Sequence, residues 1–359
     1  FGTIRSLRYF HPTSGLMVLG RTNGLVSPGA TGLCRDREGS IWVTTQRGVS
    51  KILGQNIVTY DLRHGLFAEE VTSVLELPDG RIALGHKGGL TVLGEVQYTV
   101  PFPDHIVDGR VTDMEIAPDG RIWMACDRAG LLSWKQGEYE VFDERHGLGS
   151  GVYAVLIDSE GSVFVGCHGG LMRWDGEGFV TEALFPDDPT PTLFVRRLLE
   201  ASDGSIYAAT GRHGIFRLKD GAVEHFLCPT SDVPNSIFTV LETGNGEIWA
   251  GSAAGLYRAE DGVLIRVSDP EVRHPVYAIT SDKAGRVWIG TDRGVLRWSD
   301  GHLDEIGQSQ GLSGTEVNRD ALKVDSLGRV WIGTQSGANV FSPAFDLRPR
   351  PAPGVAITN

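Results

Sequence analysis

One short pattern recurs eight times along this chain and limits what it can fold into. Its clearest copy is Gly285-Arg286-Val287-Trp288-Ile289-Gly290-Thr291-Asp292-Arg293-Gly294-Val295-Leu296-Arg297-Trp298, a turn, a short apolar strand, a glycine turn and a second strand. The nearest copy starts at Gly328 with Trp331, and others start at Gly39 (Trp42), Gly80 (Ala83), Gly120 (Trp123), Gly161 (Phe164), Gly204 (Tyr207) and Gly246 (Trp249). Successive anchor glycines lie 41, 40, 41, 43, 42, 39 and 43 residues apart. A strand-like unit with a period of about forty residues signals a β-propeller with one four-stranded blade per repeat. One unit buries too little by itself, so neighbours must share a core around a ring. The expected fold is all-β, a β-propeller of eight four-stranded blades, with seven as the alternative count.

The same plan runs through each repeat. An innermost strand such as Val276-Tyr277-Ala278-Ile279-Thr280 leads into an Asp/Gly turn. Asp supplies a side-chain hydrogen bond there, and Gly the positive φ. The Trp-bearing strand follows, then a glycine turn and a third strand; the fourth is the weakest in pattern, as in Glu138-Tyr139-Glu140-Val141-Phe142. All eight Trp fall on two repeat positions, the second strand (Trp42, Trp123, Trp249, Trp288, Trp331) and the third (Trp134, Trp174, Trp298). That periodicity assigns them to packing between blades. The last repeat lacks a strand after Ala338-Asn339-Val340-Phe341. Residues 4–10 are expected to supply it and close the ring, removing an exposed edge. The propeller is expected over 1–345. Residues 346–359 read as a Pro-rich linker and the first strand of a truncated β-sandwich.

Composition narrows the function. With 33 Lys and Arg against 45 Asp and Glu the net charge is −12, a poor match to nucleic acid or an anionic membrane. No apolar run approaches the roughly 18 residues needed to span a bilayer, so a membrane is expected only through segments outside this chain. The start at Phe1, without Met, reads as that of an excised piece. Cys34, Cys126, Cys167 and Cys228 are widely spaced, neither a disulfide framework nor a zinc signature.

The repeats resemble the two-component-regulator propeller repeat of bacterial sensors. The resemblance rests on Asn23-Gly24-Leu25 and its variants His64-Gly65-Leu66, His146-Gly147-Leu148 and Gln310-Gly311-Leu312. It also rests on the Asp-x-x-Gly turns and the apolar-Trp-Ile-Gly-Thr strands, and it covers about residues 23–345. What the resemblance implies is a periplasmic sensor domain of a bacterial signalling receptor, whose propeller binds a ligand, often a glycan fragment. Eight anchors depart from the seven blades usual in that family. Homodimerisation of the full receptor stays open.

Strand alternation places the loops entering each inner strand on one face, together with the turns between the second and third strands. The Asp/Gly turns fall on the other face. The first face gathers Arg47, Lys87, Arg128, His168, Arg212, His213, Arg273 and Arg293, the candidate ligand-binding residues, with Arg110, Arg196 and Arg319 near the same mouth. Guanidinium forks suit carboxylate or hydroxyl-rich ligands, so an oligosaccharide or similar polar small molecule is the expected partner.

No phosphate loop, HExxH, dinucleotide fingerprint or nucleophile elbow is present. Neither cofactor nor metal is expected, and the chain reads as a non-enzyme. His64 and His146 occupy a repeat position, which argues against catalysis. His168 and His213, with Tyr153, Tyr277 and Arg273, keep a propeller-type lyase as one alternative; a protein-interaction platform is another.

Overall fold

A computed structural model describes residues 7–11, 15–19, 26–27, 29–36, 41–52, 57–106, 109–149, 151–182, 193–229 and 235–342. The linker and strand expected over 346–359 lie outside the described residues. Among those described, the regular elements are all strands apart from short 3-10 turns, and no helix is long and apolar enough to cross a membrane.

Residues 59–341 form one compact unit, a β-propeller of seven four-stranded blades. Seven inner strands, Ser73–Glu76, Val111–Ile116, Val152–Ile157, Val195–Glu200, Ile237–Glu242, Val276–Ser281 and Val317–Val324, each touch the next, and the last returns to the first. They line the central channel. Blades 1 to 7 are numbered by these strands.

The seventh blade shows why eight repeats give seven blades. Its strands Val317–Val324, Val330–Thr334 and Gly337–Phe341 are completed by Ile57–Tyr60. That segment is the weak fourth strand of the first repeat. The first repeat therefore keeps only Ala30–Arg35, Ile41–Thr45 and Gly48–Ile52, a three-stranded sheet in a separate unit. Closure by residues 4–10 is thus overturned: Leu7–His11 pairs antiparallel with Gly15–Leu19, from Leu7 opposite Leu19 to His11 opposite Gly15. Tyr60 instead stacks on Trp331, with centroids 6.0 Å apart.

A buried amide holds the closing strand in place. The Asn339 Oδ1 accepts from Thr59 Oγ1 (3.1 Å) and from the Ser313 amide (2.9 Å), and its Nδ2 donates to Ser313 Oγ (2.9 Å). Asn339→Ala strands these groups in a site with no solvent access. The expected cost is about 1–3 kcal/mol, read from urea unfolding with an unchanged slope.

The aromatic ladder runs between blades. Trp249 of blade 5 meets Trp298 of blade 6 at 5.7 Å, and Trp288 of blade 6 meets Phe341 of blade 7 at 5.1 Å. The Asp that opens three of the turns also serves this ladder. Asp36, Asp282 and Asp325 accept from the indole N–H of Trp42, Trp288 and Trp331, six residues on, at 2.8, 3.0 and 2.9 Å.

The His-Gly-Leu segments are capped 3-10 turns. In each, an Asp side chain accepts from the backbone two residues on, Asp61 from Arg63 (2.8 Å) and Asp143 from Arg145 (3.0 Å). His64 and His146 accept from the Asp61 and Asp143 amides, and Gly65 and Gly147 end the turns at φ 79° and 85°, where a side chain would be strained. Leu66, Leu148 and Leu312 are buried. These histidines are part of turn architecture.

Candidate functional site at the channel mouth

The inner strands of blades 2 to 6 each begin with a buried Val or Ile and then a bulged residue at the mouth. The bulged positions of blades 3 to 6 carry Tyr153, Arg196, Phe238 and Tyr277. The structure shows that the turns between second and third strands share this face: Lys87 bridges Arg110, and His168 bridges Phe194.

The mouth residues form a bowl of rings and guanidinium groups. Phe194 stacks on the His168 ring at 4.7 Å and 9°, and meets Tyr153 edge-on at 4.3 Å. Phe238 lies 5.5 Å from Tyr277. The Arg196 guanidinium sits between Phe194 and Phe238, 4.5 and 5.0 Å from their centroids, and Arg319 approaches Phe238 at 4.9 Å. Stacking holds the planar faces of Arg and leaves its N–H edges for polar partners. Among the described residues Arg196 gives one edge hydrogen bond, to Ser236 Oγ at 3.3 Å. Its buried Nε has no partner among the described residues. Burial, then the charge of Arg319, pull Arg196 down to about 10. Burial and Arg110 likewise lower Arg319. Burial and then Asp127 raise the Tyr153 phenol.

Beneath the bowl the channel is crossed by charge. Arg197 Nη1 donates to Asp113 Oδ1 at 2.7 Å and also to Asp320 Oδ1, joining blades 2, 4 and 7. Asp113 is fixed in turn by the amides of Met114 (3.0 Å) and Val155 (3.1 Å). Asp320 reaches the channel because the inner strand of blade 7 is distended. Five steps separate Val317 from Leu322 opposite two on the partner strand, where blade 4 uses three, Val195 to Leu198. Burial opposes charge on Arg197, but Asp113 and Asp320 outweigh it and hold the guanidinium protonated well above its usual range. Burial raises both Asp320 and Glu115.

Of the residues expected from sequence, His168 lies in the bowl, and Arg212 is close enough to depress Arg196. Lys87, Arg128 and Arg293 occupy exposed turns of the same face. The His213 carbonyl accepts from His225 Nε2 at 2.6 Å. Arg273 is engaged by Glu271 at 2.8 Å. Arg47 belongs to the three-stranded sheet of the smaller unit. Phe194, Phe238 and the Asp113–Arg197–Asp320 bridge were not anticipated. One signal was available. Arg197 fills a repeat position that holds Ser73, Ala154, Thr239 and Ala278 in four other blades and its partner Asp113 in blade 2. Among the described residues no cluster of His, Cys, Asp or Glu is placed to hold a metal ion.

Comparison with known proteins agrees with this architecture. Residues 273–293 match the family model described as two component regulator propeller. No curated protein sequence is significantly similar to the chain. Among solved structures, the extracellular domain described as that of hybrid two component system BT3049 from B. thetaiotaomicron superposes with a TM-score of 0.72 at 17% identity. That match covers 94% of this chain and 50% of that one, so the chain spans about half of that domain. A catalytically inactive virginiamycin B lyase from Staphylococcus aureus, with Quinupristin, gives 0.66 at 13% identity over 80% of this chain and 98% of that one. YCF48 from Cyanidioschyzon merolae gives 0.60 at 14% identity over 77% and 97%. Such identities speak for the fold alone. The matched segment is the entry and Trp-bearing half of one repeat whose pattern recurs around the whole ring, and over that segment the chain is similar to the two component regulator propeller family.

Proposed function

We propose that the ring is the ligand-binding part of a periplasmic sensor domain, and that its ligand is an oligosaccharide or similar polar small molecule seated in the mouth bowl. The observation that carries this reading is the bowl. It sets half-buried rings, Tyr153, Phe194, Phe238 and Tyr277, around guanidinium edges. Sugars present apolar C–H faces and hydroxyl edges, which stack on aromatic faces and accept from Arg. The charged bridge below supports binding at the mouth rather than threading through the channel. Likeness to an extracellular receptor domain supports the extracytoplasmic placement, with signalling through other segments of a longer protein. A protein-interaction platform has less support, because exposed apolar side chains such as Leu62, Val96 and Leu327 come from separate repeats.

Calorimetry against a panel of neutral and uronate-containing oligosaccharides tests the reading. Phe238→Ala and Tyr153→Ala are each expected to weaken binding at least tenfold, about 1.4 kcal/mol. Substituting Asp79 and Asp119, in turns of the opposite face, should leave it unchanged. The opposite pattern would move the site to the other face. Cleavage of the glycan during titration would replace the sensor reading with a lyase built on His168 and Tyr153, whose rings lie 5.4 Å apart.

A further inference from the structure

Elsewhere on the ring, many guanidinium groups are paired with a carboxylate. Arg81 pairs with Asp79, Arg121 with Glu140, Arg217 with Asp203, Arg258 with Glu247, Arg286 with Asp282 and Arg329 with Asp325. In a chain of net charge −12, carboxylates are plentiful. The bowl is different. Among the described residues neither Arg196 nor Arg319 has a carboxylate within ion-pair distance, and both guanidinium groups stack on the same ring, Phe238.

Two like charges held together cost free energy unless something opposite sits between or above them. Among the described residues the surrounding groups do not supply it. Arg110 is itself committed to Glu70 (2.7 Å) and Asn318 (3.1 Å). Arg212 adds further positive charge. Asp127 accepts from the Arg110 amide at 3.1 Å. Glu316 and the Tyr277 phenol favour the charged Arg319, yet burial and Arg110 outweigh them. The Arg196 Nε, buried and unpartnered, leaves a donor with no acceptor, which is costly unless a ligand supplies one.

We propose that Arg196 and Arg319 form a two-guanidinium clamp for an oxyanion carried by the ligand, a carboxylate or a sulfate group, with the ligand's ring resting against the bowl's aromatic side chains. This rests on the mouth-binding reading above and names the ligand class it would take. Forked N–H edges match the two oxygens of a carboxylate or the tetrahedral edge of a sulfate. The aromatic stacking fixes both forks before the ligand arrives, which reduces the ordering cost of binding.

The test uses three trisaccharide probes in calorimetry: a galacturonate trimer, the same trimer with its carboxyls reduced to alcohols, and a sulfated galactose trimer. The clamp requires at least one anionic probe to bind ten times more tightly than the reduced one, with a margin that shrinks as salt rises. Whichever anion shows the margin identifies the group. Arg319→Gln should keep the melting temperature and erase the margin; Arg319→Lys should restore only part of it. Equal affinity for anionic and reduced probes, with Phe238→Ala still weakening both, would overturn the clamp and leave the bowl as a neutral-sugar site. A margin that survives Arg319→Gln together with Arg196→Gln would also overturn it. If no probe binds at millimolar concentration, the clamp and the oligosaccharide reading fall together.

Discussion

Arg197→Met is expected to destabilise the ring by about 3 kcal/mol, the lower end of the range for breaking a buried ion pair from one side. Arg197 keeps 24% of its side chain accessible through the channel, whereas Asp113 and Asp320 keep 4% and 14%, so the loss falls mainly on the two carboxylates left facing each other. The pH dependence has a definite sign. Removing Arg197 takes away the main influence that lowers Asp320 and leaves the two that raise it, burial and Asp113. A carboxyl whose folded pKa exceeds its unfolded value binds more protons in the native state, so stability falls as pH rises. The variant should therefore lose more stability relative to the parent at pH 8 than at pH 5, measured by urea unfolding at both. Adding Asp320→Asn removes one of the opposed charges and should recover part of the loss, a coupling of about 1 kcal/mol or more. Equal destabilisation at both pH values would show that the bridge acts through packing alone.

Trp288→Ala is expected to cost about 3–5 kcal/mol, the range for removing a large aromatic ring from a core. The side chain is 0% exposed. It fills the space between blades 6 and 7 against Phe341, with the Arg286 and Arg297 guanidinium groups over its ring and its indole N–H on Asp282. Trp288→Phe should cost less, because it keeps most of the packed ring and loses the hydrogen bond. A cost below about 1 kcal/mol for the Ala variant, measured by thermal or urea unfolding, would contradict this packing.

The repeat was legible because it is local. Anchor glycines, Asp turns and Trp positions all lie within one forty-residue unit, and together they dictate a ring. The blade count was less so. Ile57-Val58-Thr59-Tyr60 has the weak alternation of any fourth strand, and nothing within the first repeat says that it joins Gly337–Phe341 rather than Gly48–Ile52. The mouth was half legible: strand alternation puts Arg196, Arg319 and His168 on one face, but stacking of Arg196 between Phe194 and Phe238 depends on how adjacent blades are spaced. The channel bridge was the least accessible, since Arg197 is 84 residues from Asp113 and 123 from Asp320. The one local hint is charge, Arg197 and Asp113, at a repeat position where four other blades carry a small residue.

The strand that completes the seventh blade has a consequence for synthesis. Thr59 and Asn339, bonded across the closure, are 280 residues apart. A ribosome delivers the closing strand first and its partner last. Blades 1 to 6 are complete in sequence order, each from contacts within its own forty residues, before the closing edge at Gly337–Phe341 emerges. Ring closure is then the one step whose loop entropy spans nearly the whole unit. Until it occurs, both Ile57–Tyr60 and Gly337–Phe341 present unpaired edges. In crowded nascent chains the same edges from two molecules are complementary, so the point at which this ring becomes safe from pairing with a second copy is the arrival of its last strand.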